Sequence, residues 1–311
     1  MSSGRTGARL ASCVKDVLPG ALKTCIWMVE ITAGVSFAMM LLKYFNILPW
    51  ISDLISPLFS HFGLPGAAAL AYLSGYFVNT YSAIAIITSL GLDWRAVTII
   101  GTMVLCSHSM VLETAIQKKT GASAVRVVLV RTLSALFLGY VLNLVLPQTG
   151  TSFAEASVQQ EAQTFTAAFM EWLLPTLKLV VLMTVIIFAL NILQRILSEF
   201  GIMDAIARVL RPFTLALGLP ANTAFLWLVA NIVGLGYGAA IMLDEIGRGN
   251  VSGTDVELLN THISVSHSNV EDLLLMTAIG GIWWIMLSVR VVIAAALVWG
   301  QRLELRLRGR V

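Results

Sequence analysis

The chain has 311 residues, of which 58% are hydrophobic and 12% charged, and its formal net charge is +3. Soluble domains carry about 25% charged residues, so this composition excludes an ordinary soluble domain and predicts a polytopic α-helical membrane protein. Several stretches approach or exceed the ~20 apolar residues that span a bilayer. The three cysteines are too widely spaced to predict a disulfide framework or a CxxC metal site.

The chain starts with a polar, basic segment, residues 1–18, that lacks the apolar core and cleavage site of a secretory signal peptide. We therefore expect this segment to be retained and cytoplasmic. A first span follows near Leu22–Leu42. In Leu48–Phe62 apolar residues recur at helical spacing, which predicts an amphipathic helix in the membrane interface. A second predicted span, Gly66–Leu90, carries the polar patch Asn79-Thr80-Tyr81-Ser82 near its middle.

The tripeptide Ser107-His108-Ser109 comes next, between the apolar arms Val97–Cys106 and Met110–Ile116. Ionisable groups inside apolar segments are costly in a membrane, so they indicate function by default. Another span is predicted at Val125–Leu146. The polar linker that follows, residues 148–169, contains no Lys or Arg.

The second half repeats this order of segments. Its predicted elements are a span at Leu173–Leu193, an amphipathic helix at Met203–Leu217, a span at Ala221–Leu243, the tripeptide Ser266-His267-Ser268 between arms at 256–265 and 270–280, and a span at Ile282–Trp299. Asn231 and the run Gly234-Leu235-Gly236-Tyr237-Gly238 lie inside the span at Ala221–Leu243. That run is not a dinucleotide fingerprint, because no strand precedes it.

An internal repeat relates the two halves. A shift of 155 positions pairs Lys23 with Lys178, and a shift of 159 positions pairs the two Ser-His-Ser tripeptides and also Arg131 with Arg290. The sequence therefore predicts the following organisation: a cytoplasmic segment at 1–18, a first repeat at 19–147, an extracytoplasmic linker at 148–169, a second repeat at 170–302 and a basic cytoplasmic tail at 303–311.

The distribution of Lys and Arg separates two topologies. If both Ser-His-Ser segments crossed the membrane beside the other predicted spans, Lys118, Lys119 and Arg208 would lie outside. If both are re-entrant hairpins, each half has three crossings, the halves are inverted, and these residues lie inside. Arms of ten or eleven residues rise ~15–17 Å, about half of the ~30 Å bilayer core, so the two tips would meet near the midplane.

The predicted fold class is therefore an all-α polytopic membrane protein of two inverted repeats. Each repeat has three transmembrane helices, an amphipathic helix and a re-entrant helical hairpin. Broken helices that bring binding groups to the midplane of inverted repeats are typical of secondary transporters.

Two such halves, with Gly63-Leu64-Pro65 or Gly218-Leu219-Pro220 before a span and a polar segment after it, resemble the nucleoside-recognition, or Gate, domain membrane proteins. The resemblance runs from about Pro19 to Arg302. It extends to the membrane halves of bacterial ferrous iron transporters, the concentrative nucleoside transporters and the spore maturation membrane proteins. It fixes no substrate, because members of the family are associated with different ones.

The expected setting is the bacterial cell (inner) membrane, with multiple passes and both termini cytoplasmic. We predict contact with the lipid bilayer, a small-molecule or ion substrate, no nucleic acid and no cofactor; a homo-oligomer is compatible with the sequence. No GxxxxGK[ST] motif occurs, so energy would come from ion gradients or a partner.

The two histidines are the main site candidates, either as substrate or metal ligands or as buried structural residues, since a neutral imidazole ligates metals. The predicted substrate-binding residues are Ser107, His108, Ser109, Ser266, His267, Ser268, Asn269, Asn79, Tyr81, Asn231 and Tyr237. The alternative role of the residues at Asn79–Ser82 and Asn231–Gly238 is close helix packing.

Glu113, Glu271 and Asp272 follow the tripeptides closely, while Arg131 and Arg290 lie inside apolar spans at matched positions. A buried arginine needs a counter-charge or carbonyl partners. We therefore expect these charges either to couple transport or to pair with one another, clamping each tripeptide segment to the neighbouring span.

Several functions remain open from the sequence. The leading one is a secondary transporter or permease for a small polar solute, nucleoside-like or other. A divalent metal ion transporter is the alternative, because His and carboxylate ligands suit Fe(II) or Zn(II). A membrane metalloenzyme is disfavoured because no HExxH spacing occurs, and an assembly subunit that transports nothing is a further possibility.

Overall fold

The computed structural model describes residues 2–148, 164–232 and 234–309, and within these ranges it shows helices and no strand. Most of the predicted linker, including Glu155, lies outside the described residues, and so do the side chains of residues 236–240.

In the first half the helices are α1 (Ser2–Tyr44), α2 (Ile47–Phe59), α3 (Ala68–Phe77), α4 (Thr80–Leu90), α5 (Trp94–Ser107), α6 (Met110–Lys119) and α7 (Ala124–Val145). Short polar side chains start several of them, because an N-cap oxygen satisfies an orphan backbone N–H. Asn79 Oδ1 accepts from Ser82 N at 2.9 Å, and Asp93 Oδ1 accepts from Ala96 N at 2.8 Å.

In the second half the helices are α8 (Phe165–Glu199), α9 (Ile202–Ala216), α10 (Ala224–Ile232), α11 (Leu235–Gly247), α12 (Gly253–Val265), α13 (Glu271–Ala278) and α14 (Trp283–Leu307). Ser252 and Asp255 form a capping box that begins α12. The amphipathic helices α2 and α9 lie where the apolar periodicity predicts them.

The predicted span Gly66–Leu90 is wrong, because α3 and α4 form a helical hairpin. The two helices pack along each other, and Ser82 Oγ donates to Ser74 O at 3.1 Å across the turn. A Cβ at Gly75 would lie 3.1 Å from Ala83 Cβ, so glycine permits the close approach. In the same way α10 packs against α11, which replaces the predicted span Ala221–Leu243.

The Ser-His-Ser segments do not fold back as predicted. Among the described helices, α5 packs chiefly on α7 and α12 on α14, and neither packs along its own continuation, α6 or α13. Residues Trp94–Lys119 instead form one apolar run of 26 residues, long enough to cross a bilayer. Each tripeptide is thus a break within a helix that continues. The arm lengths suggested hairpins, but arms of ten residues fit a broken span equally well.

In the described part of the chain, five helical runs are long and apolar enough to span a membrane: Arg9–Tyr44, Trp94–Lys119, Ala124–Val145, Phe165–Glu199 and Trp283–Leu307. Within its apolar window the second run is 72% buried, against 28% for the runs of α8 and α14. The outer helices therefore expose apolar side chains, as lipid contact requires, around a buried pair of broken helices. This arrangement, together with the composition, is that of a multi-pass membrane protein.

The same local hydrogen bonds recur at positions that the internal repeat pairs. Ser109 N donates to Gly75 O at 2.9 Å, and Ser268 N donates to Ala230 O at 3.2 Å. Both serines have φ 48°, in the left-handed region that non-glycine residues rarely adopt. Each broken helix is therefore attached at its break to the first helix of the hairpin in its own half.

Candidate functional site

The breaks of the two broken helices meet in the interior of the molecule. The imidazole centroids of His108 and His267 lie 5.0 Å apart, with the rings tilted by 36°. The two residues expose only 4% and 0% of their surface. Histidines that the sequence places 159 positions apart therefore share one site.

The orientation of each imidazole is fixed by its own helix. His108 Nδ1 lies 3.2 Å from Val104 O, and His267 Nδ1 lies 2.7 Å from Ile263 O. Because a carbonyl oxygen only accepts, the Nδ1–H of each ring donates. The Nε2 atom of each ring therefore faces the centre, in the manner of a metal-binding histidine anchored by its other nitrogen.

The carboxylate of Glu113 lies between the two imidazoles. Its Oε1 is 3.0 Å from His108 Nε2, and its Oε2 is 3.1 Å from His267 Nε2. Asp272 Oδ2 approaches His108 Nε2 at 3.3 Å. Glu113 and Asp272 are paired by the internal repeat, so each half contributes one imidazole and one carboxylate to the centre.

His267 Nε2 is buried without a hydrogen bond. It lies 3.1 Å from Glu113 Oε2, an oxygen that is ion-paired with Arg131 Nη2 at 2.7 Å. A neutral imidazole whose Nδ1–H donates can only accept at Nε2, and a buried nitrogen without a partner suits a site that binds an ion. The ligand atoms of His108, Glu113 and His267 all lie within 4.8 Å of one another, a spacing that suits a metal ion.

The two arginines hold the ends of the broken helices. Arg131 donates to Cys106 O at 3.1 Å and to His108 O at 2.7 Å. Arg290 donates to Val265 O at 3.0 Å and to His267 O at 2.8 Å. Both are fully buried, and each satisfies carbonyls that a helix end leaves without a partner.

The arginines differ in their counter-charge. Arg131 Nη2 lies 2.7 Å from Glu113 Oε2, whereas Arg290 Nη1 donates to Asn269 Oδ1 at 2.8 Å. Asn269 in turn donates to Asn231 Oδ1 at 2.6 Å and to Ser266 Oγ at 2.9 Å. Uncharged amides thus take the place in the second half that the Glu113 carboxylate occupies in the first.

The remaining polar residues predicted from the sequence bind protein groups. Tyr81 OH donates to Glu271 Oε1 at 2.6 Å, which connects α4 to α13. Asn231 Nδ2 donates to Trp227 O at 2.8 Å, and Asn79 Oδ1 caps α4. At the tip of the first hairpin, however, Asn79 Nδ2 and Thr80 Oγ1 are buried without a partner.

The tripeptide serines contribute backbone geometry more than hydroxyl groups to the centre. Ser107 Oγ donates to Met103 O at 2.9 Å and lies 3.2 Å from Tyr72 OH. The hydroxyl of Ser109 donates to Val78 O at 3.4 Å, and Ser268 Oγ lies near Gly234. The side chain of Tyr237 lies outside the described residues.

A set of buried polar residues beside the centre was not predicted from the sequence: Gln117, Thr120, Asn260 and Ser264. Gln117 on α6 and Thr120 at its C-cap follow Glu113 at helical spacing, and Asn260 and Ser264 lie one turn apart on α12. This spacing is the signal that could identify them. It is weak because the residues are uncharged and scattered among apolar neighbours.

Comparisons with known proteins relate this chain to one domain family and to a membrane protein. Residues 25–135 match the family model Gate, described as nucleoside recognition. The chain is also 28% identical, over 266 residues, to the uncharacterized membrane protein YvoD of Bacillus subtilis (strain 168), a match that covers 85% of each chain. No solved structure matches. The predicted resemblance to the Gate family is thereby confirmed over residues 25–135.

Proposed function

We propose that this membrane protein, whose residues 25–135 match the Gate family, is a secondary transporter that carries divalent transition-metal cations through the centre formed by His108, Glu113, His267 and Asp272. The observation that carries the proposal is the convergence of two imidazole Nε2 atoms, one from each half, on a single buried carboxylate.

The proposed membrane arrangement has six crossings and two inverted halves. The crossings are α1, the broken helix α5–α6, α7, α8, the broken helix α12–α13, and α14. The hairpins α3–α4 and α10–α11 are re-entrant, because helices of about ten residues reach only about half of the ~30 Å core. With both termini inside, the basic residues Lys118, Arg208 and Arg248 lie on the cytoplasmic side, in accord with the positive-inside rule.

Ligand chemistry favours a metal cargo over a nucleoside-like one. Imidazole nitrogens suit Zn(II), Fe(II) and similar ions, and a carboxylate completes such a set. The amide oxygens of Asn79 and Asn231, and the hydroxyl of Tyr81, are already engaged with protein groups. Among the residues predicted to bind substrate, the histidines keep a polar atom directed at the centre.

Charge supports the same cargo. The buried centre and its surroundings hold the cations Arg131 and Arg290 and the acids Glu113, Glu271 and Asp272. With all five ionised and both imidazoles neutral, the acids outnumber the arginines. Net charge inside a membrane is costly, and a bound cation or a proton on one of the imidazoles offsets the excess. An anionic cargo would add to it.

Transport in proteoliposomes tests the proposal. We expect the purified protein to take up Zn(II) or Fe(II), and His267→Ala and Glu113→Gln to lower the initial rate by more than about tenfold, because each removes a ligand that also binds the transition state of passage. His61→Ala is the matched control, because His61 is exposed, outside the centre, and should leave the rate unchanged. Equal rates for all variants would overturn the assignment.

A nucleoside-like cargo is the second candidate. The description of the matching family model favours it, as do the unpartnered Asn79 Nδ2 and Thr80 Oγ1 at the first hairpin tip. Uridine and adenosine in the same vesicles distinguish the two cargoes. Nucleoside uptake that depends on Asn79 and ignores Glu113→Gln would replace the metal proposal. Absence of uptake for both classes would favour an assembly subunit or a metalloenzyme.

A further inference from the structure

Two polar stripes run from the centre towards one surface of the molecule. The first stripe consists of Gln117 on α6 and Thr120 at its C-cap, which continue the helix face of Glu113. On α12 it consists of Asn260 and Ser264, which lie on the N-terminal side of His267. The four side chains are buried, and the two helices come from different halves of the chain.

Hydrogen bonds join the stripes face to face. Ser264 Oγ lies 2.8 Å from Gln117 Oε1, and Asn260 Nδ2 donates to Thr120 Oγ1 at 3.1 Å. Gln117 Nε2 is fully buried and has no hydrogen-bond partner. Burying an unpaired amide donor costs free energy. Gln117 Nε2 therefore suits a site where the oxygen of a water molecule or of a bound ligand accepts a hydrogen bond from it.

A cavity of about 210 Å³ reaches this network from the surface. The buried Asn260, Thr261 and Ser264 line it together with Arg126 and Glu257, whose partly exposed side chains form an ion pair at 3.1 Å. A volume of this size has room for several water molecules, since each occupies ≈ 30 Å³ in the liquid. The polar stripes thus run from the lining of this cavity to the helix turns next to Glu113 and His267.

The repeat-related positions on the other side of the centre are apolar. The counterparts of Gln117, Thr120, Asn260 and Ser264 are Met276, Ile279, Gly101 and Leu105. A Cβ at Gly101 would lie 3.2 Å from Met286 Sδ and 3.4 Å from Met276 Sδ, so the thioethers fill that space. The central histidines and acids are matched between the halves, whereas their surroundings are polar on one side and apolar on the other.

We propose that Gln117, Thr120, Asn260 and Ser264 form a second binding site, for water and a partly hydrated cation, on the path between the central site and the surface at Arg126 and Glu257. Their amide and hydroxyl groups replace hydration oxygens without adding charge, so an ion binds briefly and leaves. The cation part of this inference rests on the proposed transport function, while the hydrated path stands without it.

Cysteine accessibility tests the path independently of transport. In a full-length variant whose three native cysteines are replaced by alanine, Ser264→Cys and its counterpart Leu105→Cys are treated with a small, membrane-impermeant thiosulfonate in open membrane fragments, so the reagent reaches both surfaces. We expect Ser264→Cys to react at least about tenfold faster, because only a hydrated thiol ionises and reacts readily. Thr261→Cys and Thr102→Cys are a second matched pair, with the same native residue at both positions.

Equal rates for Ser264→Cys and Leu105→Cys, after equal labelling of the denatured proteins, would overturn the path. Should the cysteine-free background fail to fold, Ser264→Leu in the native background decides. It installs the residue of the repeat counterpart and should slow metal uptake by at least about tenfold while Zn(II) still binds the centre with unchanged affinity. Unchanged uptake would overturn the second site. If the parent protein binds no Zn(II), the transport proposal has failed, and the labelling pattern alone decides the path.

Discussion

At the scale of single residues, the centre depends on backbone carbonyls that have no hydrogen-bond partner within the broken helices. Arg131 and Arg290 satisfy the carbonyls of both breaks. These bonds hold each histidine backbone in place while its side chain is anchored to the preceding turn. The geometry of the site is therefore fixed before any ligand arrives.

Replacing Arg290 should destabilise the folded protein. Arg290→Leu leaves Val265 O, His267 O and Asn269 Oδ1 buried without their donor. The expected loss of stability is about 3–5 kcal/mol, the scale of breaking a buried charged network. Thermal unfolding in detergent measures it, with Arg306→Leu as the control because Arg306 is exposed. The same melting temperature for both variants would contradict this role.

The sequence predicted the residues of this centre through their unusual setting. His108, His267 and the arginines are costly inside apolar segments, and each occurs at matched positions. Gln117 and Ser264 could not be recognised in the same way, because uncharged residues are tolerated in membrane helices as packing groups. Their meaning depends on which helices face each other, and that is a tertiary property.

At the scale of elements, the hairpins and the longer broken helices occupy the opposite positions from those that the sequence predicts. The predicted spans at 66–90 and 221–243 are hairpins, and the predicted hairpins are broken helices, of which Trp94–Lys119 is long enough to span a bilayer. Local pattern cannot separate these cases, because both consist of two apolar arms around a polar break. The turn between α3 and α4 at Val78-Asn79 contains neither Gly nor Pro to mark it.

The hairpin packing depends on the small size of Gly75. A Cβ there would lie 3.0 Å from Val104 Cγ1 and 3.1 Å from Ala83 Cβ. We expect Gly75→Leu to separate α3 from α4 and α5, costing about 1–3 kcal/mol or more by overpacking. Detergent melting curves compare it with Gly34→Leu, where a Cβ meets no atom within 4 Å. Equal stability of the two variants would argue against close packing at the hairpin.

At the scale of the whole molecule, the proposed arrangement keeps the number of crossings that the sequence predicts. With three crossings in each half, the basic residues again favour two inverted halves. The difference is the side of the membrane on which the loop after each hairpin lies. A span at 221–243 would place Arg248 outside, whereas a hairpin of α10 and α11 would place it inside.

Labelling of intact cells distinguishes the two arrangements. In a cysteine-free background we expect Phe45→Cys, on an exposed residue between α1 and α2, to react with an impermeant maleimide. Arg248→Cys and Lys118→Cys should be protected, because both would face the cytoplasm. External labelling of Arg248→Cys with protection of Lys118→Cys would restore α10–α11 as a span. Labelling of Lys118→Cys would reject the inverted arrangement itself.

The centre itself is not symmetric. Glu113 contacts both imidazoles and Arg131, whereas its partner in the repeat, Asp272, contacts only His108 among these groups. Glu113 and Asp272 thus approach one central position, and Glu113 holds it. We expect a second arrangement in which Asp272 takes this position in place of Glu113.

Replacing one acid or the other should therefore have opposite effects on which arrangement the protein adopts. Asp272→Asn removes the competitor, so Ser264→Cys should stay reactive and Leu105→Cys unreactive. Glu113→Gln leaves the centre to Asp272 and should bring the two rates closer together, because a few kcal/mol decides such an equilibrium. The same difference between the rates in both variants would mean that the centre has a single ground state. Converging rates would mean that the internal duplication provided both the second half of the chain and the acid that stabilises a second conformation.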